Sequence, residues 1–287
     1  MAMICLLGFG EVGQTFGEDL RSGFTAWDVQ FVDPASVPTK ATARLGMVVS
    51  AGAREAVAQA GIVVCAVTAA QDKAAAESVS GLMKPGAVFM DVNSASPGQK
   101  TEAAVVIESV GGRYVEAVIM SAIGNKRLAS PRAAWRAACR SISARGKGDR
   151  DFRRVILWAE LGLASATKFC RSVIIKGMEA LLTESMLAAR HYGVERAVLE
   201  SLIDFFPGQD WEKLSRYMIS RAVQHGTRRA KEMREAARTV QDAGLERRHG
   251  RTAGLGGEIQ GRLAAWGPLP VLGCNPRPGG EYIRITG

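Results

Sequence analysis

The glycine motif near the start of the chain constrains its fold more than any other feature. The sequence GFGEVG, residues 8–13, follows the apolar run Met3–Leu7 and precedes apolar residues at helical spacing that continue to Leu20. A strand, a glycine-rich turn and a helix in this order are typical of a dinucleotide-binding βαβ unit. The first glycine permits the tight turn, the second lets a pyrophosphate approach the backbone, and the third lets helix and strand pack closely.

An acidic residue after this motif predicts the cofactor. Asp33 lies twenty residues after Gly13, and we interpret Val29–Val32 as the second strand, which places Asp33 where a carboxylate can accept hydrogen bonds from the adenosine ribose. A carboxylate there repels a 2′-phosphate and favours NAD, whereas nearby Lys40 or Arg44 leaves NADP possible. The motif predicts these cofactor-binding residues: Gly8, Phe9, Gly10, Glu11, Val12, Gly13 and Asp33.

Strand and helix patterns alternate along the first 120 residues. The predicted strands are Met3–Leu7, Val29–Val32, Met47–Ser50, Ile62–Val67, Ala87–Val92 and Tyr114–Met120, with helices such as Arg54–Ala60 and Gln71–Met83 between them. This alternation is typical of a doubly wound parallel sheet, so we predict an N-terminal Rossmann domain over residues 1–160, of which 127–160 are atypical.

A helical region follows. Small and apolar residues recur with a period of 3.6 from about Ser165 to Tyr192, and a second long helix is predicted from about Trp211 to Ala243. We therefore predict an all-helical domain for substrate binding and dimerisation over residues 161–245. Residues 246–287 are rich in Gly, Pro and Arg and predict an irregular tail.

The net charge of +9 does not indicate a nucleic-acid partner, because it is concentrated in two segments. Residues 127–160 carry a net charge of +6 and residues 247–287 one of +4, which leaves −1 for the remainder. Neither segment contains a known nucleic-acid-binding module. No apolar run of about 18 residues, signal peptide or metal-binding spacing is present, so we expect a cytoplasmic protein without membrane or metal.

Three further motifs complete a resemblance to the β-hydroxyacid dehydrogenase family, which includes 3-hydroxyisobutyrate and 6-phosphogluconate dehydrogenases. VVCAVT, residues 63–68, resembles the family's fourth strand and cofactor-side loop. DVNSASP, residues 91–97, resembles its D-x-S-T-x-x-P substrate loop. GLASATK, residues 162–168, is similar to its G-x-G-x-x-x-K segment. The similarity is greatest to the phosphogluconate-dehydrogenase-like branch with a divergent C-terminal domain.

The resemblance implies a function and its residues. It implies hydride transfer between a nicotinamide cofactor and a small β-hydroxy acid, usually by a homo-oligomer. Lys168 would be the catalytic acid and base, and Val67 and Thr68 would contact the cofactor. Asn93, Ser94, Ser121 and Ser172 would bind a substrate that carries a carboxylate.

Departures from the family pattern leave alternatives open. The family's serine-glycine-glycine loop is reduced to Met120-Ser121-Ala122, and Ser172, beside Arg171, replaces an expected asparagine. Imine or ketone reduction on the same fold, and non-catalytic NAD(P) binding, are therefore alternative functions. The likeness also lapses across residues 127–160, where an expected strand and glycine pair are not recognisable. We hypothesise that residues 127–160 and 247–287 are out-of-frame translations of a GC-rich gene, which re-reading the DNA in its other frames would test.

Overall fold

A computed structural model of the chain describes residues 3–47, 50–120, 131–134 and 160–245, with the side chains of 131–134 and 222–232 excepted. The strands are β1 (Met3–Leu7), β2 (Phe24–Trp27), β3 (Ala60–Cys65), β4 (Val88–Asp91), β5 (Arg113–Ile119) and β6 (Pro131–Ala134). The helices are α1 (Glu11–Leu20), α2 (Val37–Arg44), α3 (Ala53–Ala58), α4 (Asp72–Ser80), α5 (Pro97–Ser109), α6 (Leu163–Tyr192), α7 (Glu195–Phe205) and α8 (Trp211–Asp242). Short 3-10 helices span Val29–Val32 and Ala69–Gln71.

The described strands form one sheet in the order β2-β1-β3-β4-β5-β6, in which β6 alone is antiparallel to its neighbour. The strand order reverses between β1 and β3, because β2 pairs on one side of β1 and β3 on the other. In open parallel sheets, ligands bind at the carboxyl ends of the strands at this switch point. The predicted Rossmann-like architecture, a parallel sheet followed by a helical region, is confirmed.

Helices cover both faces of the sheet. Along β1, Cys5 and Leu7 point to one face and Leu6 to the other, and all three are at most 4% exposed. The first face packs against α3, α4 and α5, and the second against α1 and α2. Burial on both faces explains why β1 and β3 are continuously apolar rather than alternating.

The second strand was wrongly predicted. β2 is Phe24–Trp27, and Val29–Val32 forms a 3-10 helix whose first turn is closed by the Asp28 side chain, which accepts from the Gln30 backbone N–H at 2.8 Å. Val29 and Val32 are 75% and 79% exposed, so their apolar side chains do not belong to the core.

Two other strands differ from expectation. Met47 and Ser50, the described ends of the predicted third strand, are not in a strand, and residues 48 and 49 lie outside the described residues. In the opposite sense, Pro131–Ala134 forms β6 within the segment where no strand was recognised. A short strand that begins with proline suits a sheet edge, because one side of an edge strand forms no hydrogen bonds to a neighbouring strand.

The long helices occur as predicted. α6 ends at Tyr192 before Gly193, α7 ends before Pro207, and the Asp210 side chain begins α8 by accepting from the Lys213 N–H at 2.8 Å. The chain divides into two compact units, 1–168 and 169–287, at a point inside α6. In the second unit a buried apolar cluster joins the three helices through residues that include Leu182, Leu199 and Trp211. No helix in the described ranges is long and apolar enough to span a membrane.

Candidate cofactor and proton-transfer site

The glycine loop between β1 and α1 has the space that its sequence predicts. Gly8 has a φ of +92°, and a side chain there would come within 2.5 Å of the Ala66 carbonyl oxygen. A side chain at Gly13 would overlap the Gly8 carbonyl oxygen, so this glycine permits the close approach of α1 to the loop. Gly10 has no neighbouring atom within 4 Å of a Cβ position, which leaves open space beside its backbone.

The loop and the start of α1 fit a diphosphate. Gly10 is the N-cap of α1 and contributes no side-chain cap, with Glu11 and Val12 in the first turn. The amino end of a helix presents backbone N–H groups and positive dipole potential, which bind anions. The open side of Gly10 lies at this helix end, so the residues present suit the diphosphate of a dinucleotide.

Asp28, and not Asp33, directly follows β2. One Asp28 carboxylate oxygen accepts from the Phe9 backbone N–H at 2.7 Å and the other accepts from the Gln30 N–H at 2.8 Å. Asp33 instead ends the 3-10 helix and accepts from the Ala35 N–H at 2.8 Å on an exposed surface. The sequence analysis missed Asp28 because it displaced the second strand; an acidic residue directly after the short run Phe24–Trp27 was the available signal.

Asn93 connects the end of β4 to the loop after β3. Its side-chain carbonyl accepts from the Val67 backbone N–H at 2.6 Å. Its amide donates to Asp72 Oδ1 at 2.6 Å and to Cys65 Sγ at 3.3 Å. Asn93 is 3% exposed, and Thr68 follows Val67 immediately before a 3-10 helix. The predicted cofactor residues Val67 and Thr68 therefore lie in a loop that is held by a hydrogen bond to the buried Asn93 side chain.

A buried ion pair lies beside Asn93. Lys100 Nζ donates to Asp91 Oδ1 at 2.6 Å, and both side chains are fully buried. Asp91 also accepts from the Asn93 backbone N–H at 2.9 Å and from the Tyr114 hydroxyl. Burial, followed by the charge of Asp91, raises the pKa of Asp72 to about 7 and raises that of the Tyr114 phenol well above its usual value.

A hydrogen bond joins Ser94, predicted to bind substrate, to Lys168, predicted to be the catalytic acid and base. Lys168 Nζ donates to Ser94 Oγ at 2.6 Å, although 74 residues separate them in sequence. Ser94 lies three residues beyond the end of β4, and Lys168 lies near the amino end of α6. Both side chains are partly exposed, so the pair can meet a small molecule.

Glu116 in β5 fixes the start of α6. One carboxylate oxygen accepts from the Gly162 N–H and the other from the Ser165 N–H, each at 2.7 Å, and Glu116 is 1% exposed. These bonds satisfy backbone donors that a helix start leaves without intrahelical partners. Glu116 was not recognised in the sequence, because nothing local pairs a strand residue with a helix 46 to 49 positions away.

Two predicted substrate residues remain, Ser172 and Ser121. Ser172 lies on α6 four positions after Lys168 and is 8% exposed, and Ser121 lies outside the described residues. Arg171 is exposed. In the described part of the chain, no group of three His, Cys, Asp or Glu side chains could hold a metal ion.

Comparisons with known proteins match both halves of the chain. Residues 3–124 match the NAD binding domain of 6-phosphogluconate dehydrogenase, and residues 189–256 match a domain of unknown function, DUF1932. No protein with a curated function matches the chain in sequence.

The solved structures that resemble this chain include proteins of unknown function and a dehydrogenase. A conserved hypothetical protein from Sinorhizobium meliloti 1021 matches with a TM-score of 0.73 and 31% identity, over 95% of this chain and 93% of that one. A conserved protein of unknown function, reported as structurally similar to 3-hydroxyacid dehydrogenases, matches with a TM-score of 0.72 and 25% identity, over 91% of this chain and 98% of that one. The Mycobacterium tuberculosis 3-hydroxyisobutyrate dehydrogenase, solved with L-serine, shares the fold with a TM-score of 0.69 and 19% identity, over 92% and 94%.

Proposed function

Since this chain belongs to the β-hydroxyacid dehydrogenase family, in a branch that joins the 6-phosphogluconate dehydrogenase NAD-binding domain to DUF1932, we propose that it transfers a hydride between a nicotinamide cofactor and a small β-hydroxy acid. The observation that supports this most directly is the 2.6 Å hydrogen bond between Lys168 and Ser94. It joins a partly exposed ammonium group to a hydroxyl beyond the carboxyl end of β4, where open α/β sheets bind ligands.

The loop between β1 and α1 would hold the cofactor. The backbone at Gly10 and the first turn of α1 would bind the diphosphate, and Val67 and Thr68 would line the nicotinamide side. When bound, the cofactor supplies the hydride acceptor or donor that amino-acid side chains lack. The chain's own residues must then bind the substrate and handle its proton.

The position of Asp28 supports NAD as the preferred cofactor. It directly follows β2 and keeps acceptor capacity on both oxygens beyond its bonds to Phe9 and Gln30. We therefore assign the ribose contact that was predicted for Asp33 to Asp28. Of the two residues considered for a 2′-phosphate, Lys40 and Arg44, the second pairs with Glu18 at 3.0 Å, which favours NAD, with NADP as the second candidate.

Lys168 would move the proton. Oxidation of a secondary alcohol requires a base for the hydroxyl proton, and neutral Lys168 would take it; in reduction, its ammonium would donate the proton to the substrate oxygen. Ser94 Oγ accepts from Lys168 and keeps its own hydrogen for a substrate carboxylate or hydroxyl. Ser121 and Ser172 stay proposed substrate ligands. The helical domain of residues 161–245, which contains Ser172, would also form a homo-oligomer.

Separate measurements of cofactor binding and turnover test this proposal. Titration of the purified protein with NADH and NADPH, followed by fluorescence, should show binding with NADH preferred. A panel of short β-hydroxy acids, followed by NADH formation, should then identify a substrate. Lys168→Ala should bind NADH normally and lose turnover by about 100-fold or more, while Lys84→Ala, which changes an exposed lysine, should match the wild type.

The same measurements decide between the alternatives. Turnover of imines or ketones, but of no hydroxy acid, would support the reductase alternative on this fold. Cofactor binding without turnover of any panel member would support a non-catalytic NAD(P)-binding protein. Undiminished turnover in Lys168→Ala would contradict the assigned proton transfer, and binding of neither cofactor would contradict the proposed function itself.

A further inference from the structure

We infer that Asn93 is a positioning residue of the cofactor site: its side chain ties the loop at Val67 to the buried carboxyl group of Asp72, so cofactor affinity depends on both residues although neither need touch the cofactor. This inference rests on the proposed function, because it concerns the loop that would line the nicotinamide side. It differs from the expectation that Asn93 binds substrate, since a side chain that is 3% exposed offers little surface to a ligand.

The hydrogen bonds of Asn93 fix its amide in one orientation. Its Oδ1 accepts from the Val67 N–H at 2.6 Å, and its Nδ2 donates to Asp72 Oδ1 at 2.6 Å. Rotating the amide by half a turn would set its NH₂ group against the Val67 N–H and its carbonyl against the Asp72 carboxylate. The contact with Val67 would then be repulsive, as would the contact with ionised Asp72, so Val67 and Asp72 together determine which way Asn93 faces.

Asp72 is a buried acid whose charge can change. It is 1% exposed, and its Oδ2 has no hydrogen-bond partner among the described residues. Burial, then the nearby Asp91 carboxylate, raises its pKa to about 7, while the cation of Lys100 and the Asn93 amide oppose that rise. Around neutral pH the carboxyl group therefore exchanges between its protonated and ionised forms, and Oδ2 is the oxygen that can carry the proton.

The Cys65 thiol and the Tyr114 phenol do not share this change. Burial raises the pKa of the Cys65 thiol and of the Tyr114 phenol, so both stay uncharged near neutrality. Lys100 and Asp91 form a fully buried pair at 2.6 Å. Loss of the Asp72 proton should strengthen the hydrogen bond from Asn93, because a charged acceptor binds a donor more strongly than a neutral one does. Cofactor affinity should rise as Asp72 ionises.

The experiment measures NADH affinity without substrate at pH 6, 7 and 8. For the wild type, we expect the Kd to fall about threefold or more between pH 6 and 8. Asp72→Asn keeps the shape of the side chain and its acceptor oxygen, so its Kd should be independent of pH and close to the wild-type value at pH 6. The control Asp204→Asn, which changes an exposed aspartate, should follow the wild type.

Asn93→Ala separates positioning from substrate binding. Without the amide, the Kd for NADH should rise about tenfold in the absence of any substrate. A substrate ligand would instead change the KM for the hydroxy acid and leave the Kd for NADH unchanged, which would overturn the inference.

The wild-type protein alone can also overturn the inference, whatever the variants do. Tight NADH binding with the same Kd at all three pH values would remove the link to Asp72 and leave the proposed function intact. Failure of the wild type to bind either cofactor would overturn both.

Discussion

The Glu116 carboxylate accepts a hydrogen bond from the Ser165 backbone N–H at 2.7 Å, which joins β5 to the first turn of α6. Its second oxygen accepts from Gly162 at the same distance. Lys168 lies one turn further along α6, where it contacts Ser94. A buried carboxylate that does not face the proposed reaction thus sets the position of the group proposed to move the proton.

Removing this carboxylate should affect both stability and turnover. Glu116→Ala leaves two buried N–H groups without acceptors and should lower the free energy of unfolding by about 3 kcal/mol, and Glu116→Gln, with one acceptor oxygen left, by about half of that. Because Lys168 would be less well fixed, kcat of Glu116→Gln should fall at least about tenfold. Urea unfolding and steady-state kinetics measure both quantities. Glu77→Ala, at an exposed position of α4, serves as control, and equal stability of the Glu116 variants and the control would contradict this role.

Gly10→Ala should separate cofactor binding from folding. A methyl group at Gly10 meets no protein atom within 4 Å, and its φ of −74° suits alanine, so stability should change by less than about 0.5 kcal/mol. The methyl group would occupy the proposed diphosphate position, and the Kd for NADH should rise about 30-fold or more. Gly52→Ala is a matched control, because Gly52 is also an uncrowded helix N-cap glycine. If both variants bind NADH equally well, the diphosphate does not lie at Gly10.

Separate substitution of Asp28 and Asp33 tests which of them binds the adenosine ribose of the cofactor. Asp28→Ala removes the acceptor of the Phe9 N–H as well as the proposed ribose contact, so the Kd for NADH should rise about tenfold or more. Its preference for NADH over NADPH should also decrease, because the charge that repels a 2′-phosphate is gone. Asp33→Ala should change the Kd for NADH less than about threefold. The reverse ranking in fluorescence titrations would restore the original expectation for Asp33.

The buried pair of Lys100 and Asp91 should be costly to break. Lys100→Ala leaves the Asp91 carboxylate fully buried without its cation, so the free energy of unfolding should fall by about 3–5 kcal/mol. Lys100→Met fills more of the same space and separates lost packing from lost charge. Chemical denaturation of both variants, with Lys73→Ala at an exposed position as control, gives the comparison. A loss below about 1 kcal/mol for Lys100→Ala would show that the pair is not needed for stability.

The parts of the fold that the sequence predicted are those determined by periodicity. β1 and β3 are buried on both faces, and α6 and α8 run for many turns, so their residue patterns are long and regular. The prediction of the second strand was wrong for a physical reason. β2 is short and contains Thr25, whereas the more apolar run Val29–Val32 is exposed and is folded into a 3-10 helix by the Asp28 side chain.

The parts of the site that the sequence missed depend on contacts between distant residues. The glycine loop and Lys168 could be located from local motifs, whereas Glu116 acts on Gly162 and Ser165 across the fold. Lys100 resembles any polar residue on a helix, and only the structure shows that it is fully buried against Asp91. A side chain that is hydrogen-bonded to backbone groups far away in the chain produces no short sequence motif that could be recognised.

The division of the chain inside α6 has a consequence for which residues stay together when the two units are recombined. Lys168 is the last residue of the first compact unit, although its helix continues to Tyr192. Ser94 and Glu116, which hold that lysine and its helix turn, belong to the same unit. A gene fusion that replaced everything after residue 168 would carry the proposed acid–base group along intact. The distal helices could thus be exchanged for others without separating Lys168 from Ser94 and Glu116.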